Sequence, residues 1–119
     1  MEELIERIER RVGVAPETAR KTIAAFLTYF DRNGPKKRMA EFYAAVPDAE
    51  AMVGKRRGGL FGVFNGGLMG IYTQLAAAGF SIEQMQIAGE ELVDFAREKV
   101  GDEAVDDLIA YTPGIRQLL

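Results

Sequence analysis

An all-α domain is what this sequence predicts, and three observations predict it. Apolar residues recur at helical spacing, strand-like alternation is absent over any useful length, and the two halves of the chain align without a gap at an offset of 66 residues. In that register Gly13 meets Gly79, Glu17 meets Glu83, Met39 meets Val105 and Phe42-Tyr43 meets Leu108-Ile109. Val46-Pro47-Asp48-Ala49 meets Thr112-Pro113-Gly114-Ile115. The expectation is one compact domain of two duplicated three-helix units with pseudo-two-fold symmetry. Repeat 1 covers about residues 2–53, a Gly-rich connector 54–67, and repeat 2 about 68–119.

Leu4, Ile5, Ile8 and Val12 make one apolar stripe and predict a helix over 2–12. Ala19, Ile23, Phe26, Leu27 and Phe30 make a second, over 16–32. Pro16 suits its first position, and Glu17 the positive end of its dipole. Asn33-Gly34-Pro35 is a stop: Gly34 can take positive φ, and Pro35 cannot continue a helix. Met39, Phe42, Tyr43 and Val46 predict a third helix over 36–46, ended by Pro47 and followed by a short turn to Val53. The second half predicts helices over 68–78, 82–99 and 102–111 and a final turn. Ser81 with Gln84 three residues on is a capping box, and Phe80 with Met85 can form the accompanying hydrophobic staple. Gly101 breaks the long helix, and Asp102 or Glu103 opens the next.

The chain has 119 residues, 48% of them hydrophobic, which suits a single packed core rather than disorder. It has no cysteine, so disulfides, thiolate metal sites and cysteine nucleophiles are excluded. It has no histidine, the usual general base near neutral pH. Ser81 is the one serine and is already used as a cap. Carboxylate catalysis needs a pair in contrasting environments, and nearly every Asp and Glu here falls on a polar face or at a helix start. Glu90 and Glu91, flanking Gly89, come nearest to the core face. No catalytic residue, metal ligand or cofactor is expected, and the chain reads as a non-enzyme. The acidic, amphipathic start, Met1-Glu2-Glu3-Leu4, is not a signal peptide, so a cytoplasmic location is expected.

Charge is uneven. Residues 1–57 hold 12 Lys/Arg against 9 Asp/Glu, residues 58–82 hold none, and residues 83–119 hold 3 against 9. Halves of opposite sign can attract each other. Exposed pairs contribute little each, so ordinary drift of surface charge is the leading expectation. The basic triplets Lys36-Lys37-Arg38 and Lys55-Arg56-Arg57 could touch phosphates. With an overall pI near 5.0, nucleic-acid binding is not expected. The acidic cluster Asp102, Glu103, Asp106 and Asp107 has no EF-hand spacing and reads as dipole complementation. Tyr29, Tyr43, Tyr72 and Tyr111 could line a pocket, and Tyr43 in its stripe reads as packing.

The unusual segment runs from Gly58 to Tyr72. Gly58, Gly62, Gly66 and Gly70 recur every four residues, which on a helix makes a smooth ridge. Such a ridge admits close approach by another backbone. Each glycine within a helix also costs up to about 1 kcal/mol relative to alanine, so a partner is needed. Three readings arise. A membrane-inserting helix would use the 25 uncharged positions, with Lys55-Arg56-Arg57 on the cytoplasmic side, but Asn65, Gln74 and seven glycines dilute it. A close-packed element would serve the core or a homo-oligomer interface. A glycine-hinged loop would close over a ligand held by Phe61, Phe64, Met69 and Tyr72. The glycine spacing fits neither a dinucleotide nor a P-loop fingerprint. The second reading leads.

Val12-Gly13-Val14 through Val46-Pro47, Gly66-Gly67-Leu68, and Gly79-Phe80-Ser81 with the helix after it together resemble a bacterial family of small helical proteins of unknown function, the VcgC/VcgE-like group. The resemblance covers most of the chain and implies the all-α duplicated fold. It brings no catalytic residues. The expected role is a soluble helical module that contacts a protein partner or a second copy of itself through 58–72. The alternatives are a binder of a small apolar ligand between the repeats, and a peripheral membrane protein.

Overall fold

The computed structural model describes residues 1–53, 73, 75–77, 79–112 and 114–118. Among these, every regular element is helical. The helices are α1 (Glu2–Val12), α2 (Pro16–Asn33), α3 (Lys36–Ala45), α4 (Pro47–Met52), α5 (Ile82–Val100) and α6 (Asp102–Tyr111), followed by a 3-10 turn at Ile115–Leu118. Thr73 and Leu75–Ala77 are also helical, within the expected helix over 68–78.

The local chemistry of the ends is mostly as the sequence reads. Gly13 leaves α1 in the left-handed region at φ 80°, and Pro16 starts α2. The Ser81 hydroxyl accepts from the Gln84 backbone amide while the Gln84 side chain accepts from the Ser81 amide, a complete capping box. Phe80 and Met85 beside it are both buried. Gly101, at φ 91°, separates α5 from α6.

Two boundaries differ. Gly34 has φ −93°, so no left-handed turn demands glycine there. Space does: a Cβ at residue 34 would lie 2.7 Å from both the Phe30 carbonyl oxygen and Thr112 Oγ1. Pro47 does not lead into a simple turn. Its fixed φ suits a first helical position, and the short helix α4 begins on it.

The core gathers the predicted stripes. Leu4, Ile5 and Ile8 of α1, Phe26 and Leu27 of α2, Met39 and Phe42 of α3, Leu92 and Phe95 of α5, and Val105 and Leu108 of α6 are buried together. Helix α5 is the hub, packing on α1, α2, α3, α6 and the terminal 3-10 turn.

Ion pairs join the basic first half to the acidic second. Arg7 reaches Glu98 at 2.9 Å, Arg11 reaches Glu91, and Gln84 of α5 donates to the Val12 carbonyl at 3.4 Å. These pairings run in opposite order along the two helices, so α1 lies antiparallel to α5. Arg7 and Arg11 are four residues apart, and Glu91 and Glu98 seven, so each pair shares one helix face. Arg38 of α3 crosses to Asp107 of α6 at 2.8 Å. The charge asymmetry is therefore not mere drift, because its members meet across the boundary between the halves.

Candidate functional site

The eight residues singled out as interface or ligand candidates, Gly58, Phe61, Gly62, Phe64, Gly66, Met69, Gly70 and Tyr72, lie outside the described residues. So do Lys55, Arg56 and Arg57, and most of the uncharged stretch considered for a membrane. Among the described residues no helix is long and apolar enough to cross a membrane.

Where α2 and α3 meet α5 and α6, a small apolar cleft of about 30 Å³ remains. Leu27, Phe30 and Phe42 line it from the first half, and Leu92, Val105 and Leu108 from the second. A water-sized guest fits that volume, and apolar walls of this kind stay dry. Typical small-molecule sites are about ten times larger.

Val93 and Ile109 at its edge also form the floor of a second, wider groove of about 250 Å³, whose rim is Glu90 and Asp94. Helical spacing puts Glu90, Val93 and Asp94 on one face of α5. Ile109 of α6 approaches that face. The groove is thus half apolar floor and half carboxylate rim.

Three of the flagged carboxylates meet one cation. The Arg11 guanidinium donates to Glu91 and stands 3.8 Å from Glu90. The Glu91 hydrogen bond leads the effects that raise the Arg11 pKa, and the negative potential of Glu90 and Asp94 adds to it. Glu91 is 8% exposed, a buried carboxylate held by its hydrogen bond. Of the two glutamates that sequence reasoning placed near the core, Glu91 turns inward beside Arg11 and Glu90 turns out to the groove. Neither stands beside Tyr29 in a common pocket, and Tyr72 lies outside the described residues.

The other sequence candidates are tied up in structure. Arg38 leaves its basic triplet to bind Glu41 at 2.9 Å and Asp107. Lys36 donates to the Asp31 carbonyl at 2.6 Å. Asp102 and Asp106 hold Arg97 at 3.3 and 2.9 Å. No group of three or more carboxylates among the described residues is arranged to hold a metal ion. Tyr43 is half-buried in its stripe, and its hydroxyl donates to Asp31 at 2.7 Å. Burial first, and Asp31 second, push that hydroxyl's pKa well above the tyrosine range. Sequence spacing missed this bond because residues 31 and 43 sit on different helices. Tyr111 is 68% exposed and lines neither cleft.

Comparison of the chain with protein-family models, with curated proteins and with solved structures gives no match.

Proposed function

We propose that this chain is a helical interaction module, two related three-helix units fused in tandem, that binds a protein partner or a second copy of itself through residues 58–72. One observation carries the duplicated part of this reading. Positions 66 residues apart share their burial: Ala19 and Met85, Phe26 and Leu92, Tyr29 and Phe95, Met39 and Val105, Phe42 and Leu108, and Ala49 and Ile115 are all buried. The bounds of α3, Lys36–Ala45, fall at that offset on those of α6, Asp102–Tyr111. Gly13 and Gly79 both take positive φ, 80° and 96°.

Two such units already dock on each other in one chain, through apolar stripes and pairs of opposite charge. The same chemistry suits docking between chains. The glycine ridge at Gly58, Gly62, Gly66 and Gly70 then supplies the close-approach surface. The reading includes no catalysis, no nucleic-acid contact and a cytoplasmic setting, and kinship with the VcgC/VcgE-like group is part of it.

Light scattering of the wild type and of Gly66→Leu tests it. A branched side chain on the ridge should change the oligomeric state, or lower stability by about 1–3 kcal/mol through overpacking. Unchanged mass and unchanged melting would reject the ridge. Mass spectrometry of what co-purifies from the native cell separates a recurring protein partner from an apolar small molecule, the alternative reading.

A further inference from the structure

We propose that the α5–α6 groove is a binding site for a small organic cation with an apolar tail, of the alkylammonium class. The proposal stands apart from the interaction role of 58–72, since none of the groove's residues belongs to that segment.

The floor and the rim ask for different halves of one ligand. Val93 and Ile109 offer an apolar floor continuous with the dry cleft beneath. A short alkyl chain laid there removes apolar surface from water on both sides. Glu90 and Asp94 stand on the rim above it. Their surroundings leave negative charge uncompensated. Glu90, Glu91 and Asp94 share the field of a single guanidinium, Arg11. That guanidinium is engaged by the buried Glu91. The other cations of this part of α5 are placed elsewhere: Arg97 binds Asp102 and Asp106, and Lys99 lies over the Phe95 ring at 5.2 Å. Asp94 has no ion pair among the described residues.

The volume, about 250 Å³, selects a small molecule over a helix or a folded partner. It sits just under the range of about 300–1,000 Å³ typical of small-molecule clefts. An anionic amphiphile of the same length would meet the rim's charge with its own, and like charges disfavour that complex.

The probes are n-octylammonium, octanoate and octanol, each below its micelle concentration, followed by amide chemical shifts of the full-length protein. Octylammonium should bind saturably, with its largest shifts at Val93, Asp94 and Ile109. Octanoate should bind at least about tenfold more weakly, a difference of about 1.4 kcal/mol. Asp94→Asn should weaken octylammonium severalfold, and Asp94→Lys should abolish its binding while leaving the thermal melt unchanged, since residue 94 is exposed. Raising salt should weaken octylammonium and spare octanol. Equal affinity for octylammonium and octanoate, non-saturating shifts, or shifts centred away from residues 90–94 and 109 would each overturn the proposal.

Discussion

Helices α2 and α5 stand at positions 66 residues apart and turn the same rhythm of residues inward, yet their outer faces have different fates. In α2, Leu27 and Thr28 are 2% and 6% exposed, and Ala25 through Phe30 are buried without interruption. In α5, the positions in the same register are Val93, only partly buried, and Asp94, exposed. The inward face of a helix is set by its own periodicity. The outward face is set by whatever else packs there, and at α2 something does. The difference turns α2 into an interior element and leaves α5 with one open side, where the acidic groove lies. The corners differ as well: Tyr43 binds Asp31 in the first half, while Ile109 in the second joins the groove floor.

The largest effect expected from this comparison is at the paired positions themselves. Leu27→Ala should cost about 2–5 kcal/mol, the range for a buried leucine. Val93→Ala should cost only about 1 kcal/mol, because much of that side chain already meets water. Equal costs in chemical denaturation would mean that α5 is covered as fully as α2.

Glycines sharpen the contrast between space and dihedral angle. Gly34→Ala should cost about 1–3 kcal/mol by overpacking against Phe30 and Thr112. Gly13→Ala should cost about 1–2 kcal/mol for another reason, since its φ is 80° and nothing stands within 4 Å. Adding Thr112→Ala should recover part of the Gly34→Ala loss and none of the Gly13→Ala loss. A double-mutant cycle reads this directly.

Tyr43→Phe should cost about 1.5 kcal/mol by removing a bond to a carboxylate. The folded-state pKa of the hydroxyl is raised, so its contribution is complete below the ordinary tyrosine value near 10 and is lost as pH rises through the folded value. Wild type should therefore lose stability in strong alkali more steeply than Tyr43→Phe. Parallel alkaline melting curves would remove the Asp31 bond from the account.

Thr112 tests the register in the opposite direction. Its counterpart at position 46 is valine, and Thr112 Oγ1 is buried with no hydrogen-bond partner. Thr112→Val keeps the shape and removes an unsatisfied hydroxyl, so it should stabilise by about 1 kcal/mol. A loss on calorimetry would show that the hydroxyl is satisfied.

The smallest effect concerns the seam between the halves. The Arg7 hydrogen bond, more than its charge alone, holds the Glu98 pKa below its ordinary 4.5. A lowered folded-state pKa contributes stability that is present above 4.5 and is lost as pH falls through the folded value. Arg7→Met should flatten that acid limb, and 1 M salt should shrink the difference between the two proteins. An acid limb that is identical in both would leave the seam to apolar packing.

Sequence alone was sufficient for the helical class, the six stripes' inward positions and most helix ends, because those are decided within a few residues of chain. Pro16, the Ser81–Gln84 box and the glycines at 13 and 101 each act on their own turn. It also held the charge asymmetry of the halves. What it did not hold was anything requiring two distant segments to meet. Gly34 is needed because Thr112, far along the chain, comes close to it, and no local signal separates that from a turn glycine. Glu91 and Glu90 are neighbours in sequence, yet one is buried on Arg11 and the other faces the groove, since the antiparallel seating of α1 on α5 reaches only one of them. The groove exists because α6 brings Ile109 beside Val93 and nothing among the described residues covers them. Local periodicity selects which side of a helix leaves water. Only the packing of all the helices together determines which of the remaining sides stays in it.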